Sequence, residues 1–175
     1  MSKAFNFQKW LDENRHKLVP PVGNKNLIPE SEDYIIMAVA GPNARKDYHY
    51  NETEEFFYQL EGQITVRIQE NDQTVDHILN AGDMLLVPAK TPHSPIREKD
   101  SIGLVVERKR LGKSFTDGLL WFCDSCNKPL HEVYFKLKNI EKDFLTHFYN
   151  FYSSEEKRTC NQCGEIMPAD PKYVE

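Results

Sequence analysis

The chain has little of several things, and each shortage excludes a class of protein. No apolar run approaches the ~20 residues that a bilayer crossing needs, so no membrane span is expected. Met1 to Trp10 has no basic stretch followed by an apolar one, so no secretory leader is expected and the cytosol is the default location. Lys and Arg are outnumbered, 22 against 27 acidic residues, for a net charge of −5. A nucleic-acid surface needs clustered cations to neutralise phosphates, and this balance argues against one. The single basic cluster, Glu107-Arg-Lys-Arg-Leu-Gly112, reads as a solvated strand end. Cysteine is absent until position 123, and there are no internal repeats or low-complexity segments.

The 175 residues, 39% hydrophobic, suffice for one ordinary domain plus a small appendage. Phe7, Trp10 and Leu11 follow helical spacing, which predicts an amphipathic helix near residues 6–16, ended by Pro20 and Pro21. From Tyr34 the pattern changes to short strands: Tyr34 to Ala40, Glu54 to Leu60, Ile64 to Gln69, Thr74 to Leu79, Met84 to Val87 and Ile102 to Glu107. Ile64, Val66 and Ile68 alternate with Thr65, Arg67 and Gln69, the mark of a half-buried strand. Turn chemistry separates these segments at Glu61-Gly62, Glu70-Asn71-Asp72, Asn80-Ala81-Gly82-Asp83 and Pro88. Many short strands with close turns predict a mainly β sandwich or barrel. Gly112 to Gly118 reads as a linker, which divides the chain into residues 1–111 and a Cys-bearing module, 112–175, with a helix through Ile140, Phe144 and Phe148.

Two metal sites are legible. His49, Glu55 and His93 have spacings and glycine and proline neighbours that fit two barrel strands converging on one ion. Two imidazoles and a carboxylate bind one face of a metal and leave the other open, which suits Fe(II) and dioxygen chemistry. The four cysteines form Cys123-x-x-Cys126 and Cys160-x-x-Cys163, two hooks that can present four thiolates tetrahedrally to Zn²⁺ or iron. Disulfides are the alternative, but a reducing compartment disfavours them. Gly164 would allow the tight turn of a rubredoxin-like knuckle. His16, His77, His131 and His147 match no ligand pattern.

Residues two apart on a strand share a face, so His93, Pro95 and Arg97 should point together, as should Arg45, Asp47 and His49, and Glu55, Phe57 and Gln59. An interior with three ligands, two arginines and an aromatic wall is a site for a planar anion. Arg97 can grip a carboxylate bidentately. Arg45 is placed to steer O₂ or the anion, and Glu107 to accept a hydrogen bond from an amine or hydroxyl.

The run His49-x5-Glu55-x6-Gly62 resembles the first cupin motif, and Gly82-x5-Pro88-x4-His93 the second. The pattern selects Glu55 over Glu54, puts Asn51 where a further histidine usually stands, and puts Arg97 where an asparagine closes the second motif. With Gly41-Pro42-Asn43-x-Arg45-x-Asp47-Tyr48-His49, Glu54-Glu55-Phe56-Phe57-Tyr58-Gln59, Pro92-His93-Ser94-Pro95-x-Arg97, Trp121-x-Cys123-x-x-Cys126 and Lys157-Arg158-x-Cys160-x-x-Cys163, the chain resembles the 3-hydroxyanthranilate 3,4-dioxygenase family nearly end to end. That resemblance implies a cupin jelly-roll barrel with an N-terminal helix and a C-terminal rubredoxin-like Cys₄ module. It also implies Fe(II) on His49, Glu55 and His93, catalytic and substrate-binding roles for Arg45, Glu55 and Arg97 with Glu107 contacting the substrate, and O₂ near Arg45. The reaction implied is ring cleavage of 3-hydroxyanthranilate on the route to NAD, by a homodimer paired through edge strands, with a second Fe or Zn on Cys123, Cys126, Cys160 and Cys163. The alternatives are a cupin dioxygenase for another aromatic or thiol acid, or a non-enzymatic cupin that binds a small carboxylate.

Overall fold

In a computed structural model, residues 4–19, 23–110, 114–138 and 143–174 are described. The first helix, α1 (Phe7–Asn14), starts where the Asn6 side chain accepts a hydrogen bond from the Lys9 N–H at 2.9 Å. It ends in a 3₁₀ turn, Arg15–Lys17, and its Leu11 is fully buried. Pro20 and Pro21, expected to end the helix, lie outside the described residues.

Eleven strands follow among the described residues: β1 (Asn24–Asn26), β2 (Tyr34–Ala40), β3 (Tyr48–Asn51), β4 (Glu55–Glu61), β5 (Gln63–Glu70), β6 (Gln73–Asn80), β7 (Met84–Val87), β8 (His93–Arg97), β9 (Ile102–Arg108), β10 (Asp117–Phe122) and β11 (Pro129–Phe135). They pair antiparallel in two sheets, in the orders β1-β2-β9-β4-β7 and β11-β10-β3-β8-β5-β6. The fold is mainly β, two antiparallel sheets packed in a jelly-roll-like sandwich, with an N-terminal helix and a four-cysteine cluster near its C-terminal end. Alternation does most of this: Ile64, Val66 and Ile68 meet Met37, Phe57, Val87 and Val105 between the sheets, while their neighbours on each strand face outward. The turn residues behave as their chemistry requires. Asn71 and Asp72 both have positive φ, 50° and 61°, as a two-residue hairpin between β5 and β6 demands. Gly62 and Gly82 sit at φ 66° and 97°.

Two further clusters dress the sandwich. Leu11 and Leu18 cover Ala38 and Ile102 on the outside of the five-stranded sheet. At the other end α2 (Asp143–Tyr152) lays Phe144 and Phe151 on Leu119 and Trp121 of β10, with the Trp121 and Phe151 rings stacked at 4.2 Å, and α3 (Glu155–Arg158) leads to the second cysteine hook. Ile140, expected in that helix, lies outside the described residues. Among the described residues no helix is long and apolar enough to cross a membrane.

Six strands were expected and all six are present within a residue or two at each end. The linker is corrected: Asp117 and Gly118 open β10, which pairs with β3 through Leu119↔His49 and with β11. Asp-Gly reads as a turn, but here Asp117 is fully buried among partners and a Cβ on Gly118 would meet the Tyr134 ring at 2.8 Å. The Cys-bearing segment therefore shares a sheet with the ligand-bearing one.

Trp121 is fully buried at the centre of this seam. Trp121→Ala should cost ~3–5 kcal/mol through lost burial and a residual cavity. Urea unfolding should show a lower midpoint with an unchanged slope.

Candidate metal centre and anion pocket

His49 on β3 and His93 on β8 are directly opposed, His49↔His93, and β4 brings Glu55 to them from the other sheet. Glu55 Oε2 lies 3.1 Å from His93 Nε2 and 3.6 Å from His49 Nδ1. One donor atom from each of the three residues falls within 4.8 Å of the others, and all three side chains are buried. The remaining ring nitrogens are already engaged: His49 Nε2 with Asp117 Oδ1 at 2.9 Å, and His93 Nδ1 with the Thr91 carbonyl at 2.9 Å. Both are acceptors, so each imidazole donates there and turns its other nitrogen, His49 Nδ1 and His93 Nε2, toward Glu55. Outer hydrogen bonds of this kind fix tautomer and ring orientation in metal-binding histidines. Burial opposes ionisation of Glu55, yet His93 and His49 hold its carboxylate well below the usual range. Burial would likewise lower His49, but Asp117 and Glu55 raise it to about 9. The donor set thus fits a cation at its centre. Asn51 is not part of it: its Oδ1 accepts from Thr53 N and Oγ1, each at 2.8 Å, and its Nδ2 faces Glu107 Oε2 at 3.4 Å.

Behind the triad runs a buried ionic chain. Arg110 reaches Asp117 Oδ1 with Nη2 at 2.9 Å and Glu107 Oε2 with the same nitrogen at 2.7 Å. The basic cluster read as a solvated strand end is therefore corrected for Glu107 and Arg110, which are 2% and 5% exposed. Among the described residues of the cluster, Arg108 is exposed, over the Tyr34 ring, and Lys109 half-exposed. Burial and the charge of Glu55, its partner across β4 and β9, push the Glu107 carboxyl up, and Arg110 pulls against them.

The triad opens on a cavity of about 140 Å³, whose lining includes His49, Glu55, Arg97, Arg45, Glu107 and Phe144. A cavity near ~150 Å³ accommodates one benzene ring. Arg97 is 2% exposed, and none of the described residues accepts a hydrogen bond from its guanidinium. Burial, with Arg45 nearby, lowers it to about 10, which still leaves it protonated at neutral pH. A buried, uncompensated cation beside an open space calls for an anion. Arg45 is different: it is paired with Asp47 and sits at the rim, also lining a second cavity of about 410 Å³ on the outer face of the six-stranded sheet.

Of the residues expected at the first site, Arg45, His49, Glu55, His93, Arg97 and Glu107 are thus all in or beside the cavity or the triad. The sequence reading missed Asp117, Arg110 and Phe144. Asp117 was disguised by the glycine after it and Arg110 by its basic neighbours. Phe144 carried only a helical spacing, although its ring stands 5.3 Å from that of His49.

The second cluster brings four thiols together, with Cys123–Cys163 and Cys126–Cys160 Sγ–Sγ distances of 3.6 Å. A tetrahedron with metal–sulfur bonds of about 2.3 Å has edges near ~3.8 Å. The hooks repeat one backbone pattern. Cys123 N donates to Lys128 O and Cys123 O accepts from Asn127 N, while Cys160 N donates to Glu165 O and Cys160 O accepts from Gly164 N, all at 2.8–2.9 Å. Asn127 and Gly164 hold the equivalent left-handed positions, φ 58° and 79°. Asn127 also fastens the first hook to the β5–β6 hairpin, donating to Gln69 Oε1 and accepting from Thr74 Oγ1.

Asp117→Ala removes the acceptor that orients His49. Fe(II) affinity at the triad should fall ~10–100-fold, whereas the Cys-bound metal stays. Metal analysis and anaerobic Fe(II) titration of the same protein separate the two.

A family model for 3-hydroxyanthranilic acid dioxygenase matches residues 1–152. A 3-hydroxyanthranilate 3,4-dioxygenase of Xanthomonas euvesicatoria pv. vesicatoria is 49% identical over 169 residues, covering 97% of this chain and 94% of the relative. Another protein of that name, from Jannaschia sp., is 42% identical over 94% of this chain and 91% of its own length. Among solved structures, a cupin-2 domain protein of Shewanella frigidimarina covers 61% of this chain and 95% of its own, at 21% identity and a TM-score of 0.46. With the family model spanning most of the chain and relatives of this identity spanning nearly all of it, the chain belongs to the 3-hydroxyanthranilic acid dioxygenase family.

Proposed function

We propose that the chain is an Fe(II)-dependent extradiol-type dioxygenase that cleaves the ring of 3-hydroxyanthranilate with O₂ to 2-amino-3-carboxymuconate semialdehyde. That product closes to quinolinate, on the route to NAD. The observation that carries this reading is Arg97: a buried guanidinium with no acceptor among the described residues shares a ring-sized cavity with a two-histidine, one-carboxylate donor set.

His49, Glu55 and His93 would hold Fe(II), which would supply the means to bring an aminophenol and O₂ together and pass electrons between them. The chain's own residues then divide the work. Arg97 takes the ring carboxylate bidentately and so fixes the ring in its plane. Glu107, held by Arg110, accepts a hydrogen bond from the amine or hydroxyl. Glu55 receives the hydroxyl proton as the substrate binds. Phe57 and Phe144 wall the cavity and keep water out. Arg45, at the rim, steers O₂ and the incoming anion. Both oxygen atoms enter the product, so the substrate supplies every electron.

We read residues 1–111 as the catalytic unit and 112–175 as a metal-bearing unit that lends β10 to its sheet. The Cys₄ cluster holds Fe or Zn in a structural role, since four thiolates can supply ~10–16 kcal/mol to the folding of a small module. A cytoplasmic homodimer completes the proposal. The outer face of the five-stranded sheet supports it with Met84, Leu86 and Tyr34, which are 67%, 52% and 43% exposed.

Fe(II)-loaded protein should consume O₂ and convert 3-hydroxyanthranilate, and a panel of other aromatic and thiol acids should not replace it. Losing the charge partner of a desolvated carboxylate costs ~2–5 kcal/mol, so Arg97→Ala should raise KM more than ~30-fold. An unchanged KM removes Arg97 from the substrate site. Cys160→Ser should lower the Cys-bound metal and the unfolding temperature, while the fraction still folded turns over at the parent rate; folded but inactive protein would assign that cluster more than structure.

A further inference from the structure

We infer that Gln59 is a positioning residue for Arg97, holding its guanidinium toward the substrate carboxylate, and that Gly103 keeps the two side chains within reach. The inference rests on Arg97 being the carboxylate anchor.

Two buried polar atoms here lack partners, and they are of opposite kinds: Gln59 Oε1 accepts and Arg97 Nη1 donates. Both are closed to solvent, so each calls for a partner inside the protein. A Cβ placed on Gly103 would stand 2.8 Å from Gln59 Oε1 and 3.2 Å from Arg97 Nη1. The two orphans thus flank one point, no farther apart than those two distances together. A side-chain rotation that closes this gap would pair them.

Gln59 is opposite Gly103 across β4 and β9, and its Nε2 donates to the Glu61 carbonyl at 2.6 Å, which fixes which end of the amide is oxygen. Arg97 comes from the other sheet, with its backbone N–H held by Asn43 Oδ1 at 3.1 Å and its carbonyl by Asn43 N at 3.0 Å. Its root is therefore fixed while its head has no anchor. A carboxylate in the cavity takes the nitrogens on the open side. Gln59 Oε1 serves the nitrogen behind them, and a guanidinium held from behind loses less freedom on binding. Any side chain at position 103 would enter this gap, with the Tyr58 carbonyl also only 3.1 Å from its Cβ.

The test compares two probes on the full-length, Fe(II)-loaded chain under argon by titration calorimetry: 3-hydroxyanthranilate, and 2-aminophenol, which keeps the chelating pair but lacks the carboxylate. Gln59→Met should weaken 3-hydroxyanthranilate roughly 10- to 100-fold and leave 2-aminophenol unchanged. Gly103→Ala, whose methyl would wedge the pair apart, should produce the same selective loss, and thermal unfolding checks that each variant is folded. Equal weakening of both probes, or of neither, overturns the inference. Arg97→Ala is the control for the underlying reading. If it abolishes the preference for the carboxylate while Gln59→Met and Gly103→Ala preserve it, the inference alone fails; if Arg97→Ala also preserves it, the carboxylate anchor itself fails.

Discussion

A charge removed from water has to be answered by another charge, and the interior of this jelly roll is organised by that demand. Glu55 and Glu107 stand directly opposite each other on β4 and β9, where two carboxylates repel. The arrangement holds because each is answered from its own side. Glu107 has Arg110, and Arg110 has Asp117; Asp117 has His49, which with His93 faces Glu55. The chain of alternating partners closes on the place where a metal would sit. Strand register, histidine tautomer and carboxylate charge are thus one problem with one solution, because a slip of one residue would turn every member of the chain to the wrong face.

Arg97 is the exception that gives the cavity its meaning. Every other buried ion among the triad and the chain behind it has a partner of opposite sign, whereas Arg97 faces open space. Breaking a buried pair is costly because it leaves one charge unanswered, and a protein that keeps such a charge in its folded state does so where a ligand completes the pair. The walls agree with the charges, since Phe57 from the core and Phe144 from α2 offer flat apolar surface on the same cavity.

The sequence made the alternating strands legible because burial on one face writes a period of two, as in Ile64, Val66 and Ile68. Strands buried on both faces left no such mark. Tyr48–Asn51 and Asp117–Phe122 are buried almost throughout, so β3 and β10 do not alternate. The metal ligands were readable because spacing alone constrains them, and Arg97 because parity carried it inward from His93. Asp117 and Arg110 were hidden because their role is relational. Nothing local distinguishes a solvated arginine from one that links two buried carboxylates, until the strands are paired.

Strand β10 has one end beside His49, through Asp117, and the other at Cys123. Its two ends belong to different metal sites, yet it is six residues long and lies inside a sheet. The Cys-bearing segment is therefore not a detachable tail. A chain cut at residue 111 would keep all three ligands and lose the orientation of one of them, along with the aromatic lid over the cavity. In inheritance as in engineering, the two sites travel together: to shed the cysteines, a descendant would have to keep the strand that leads to them.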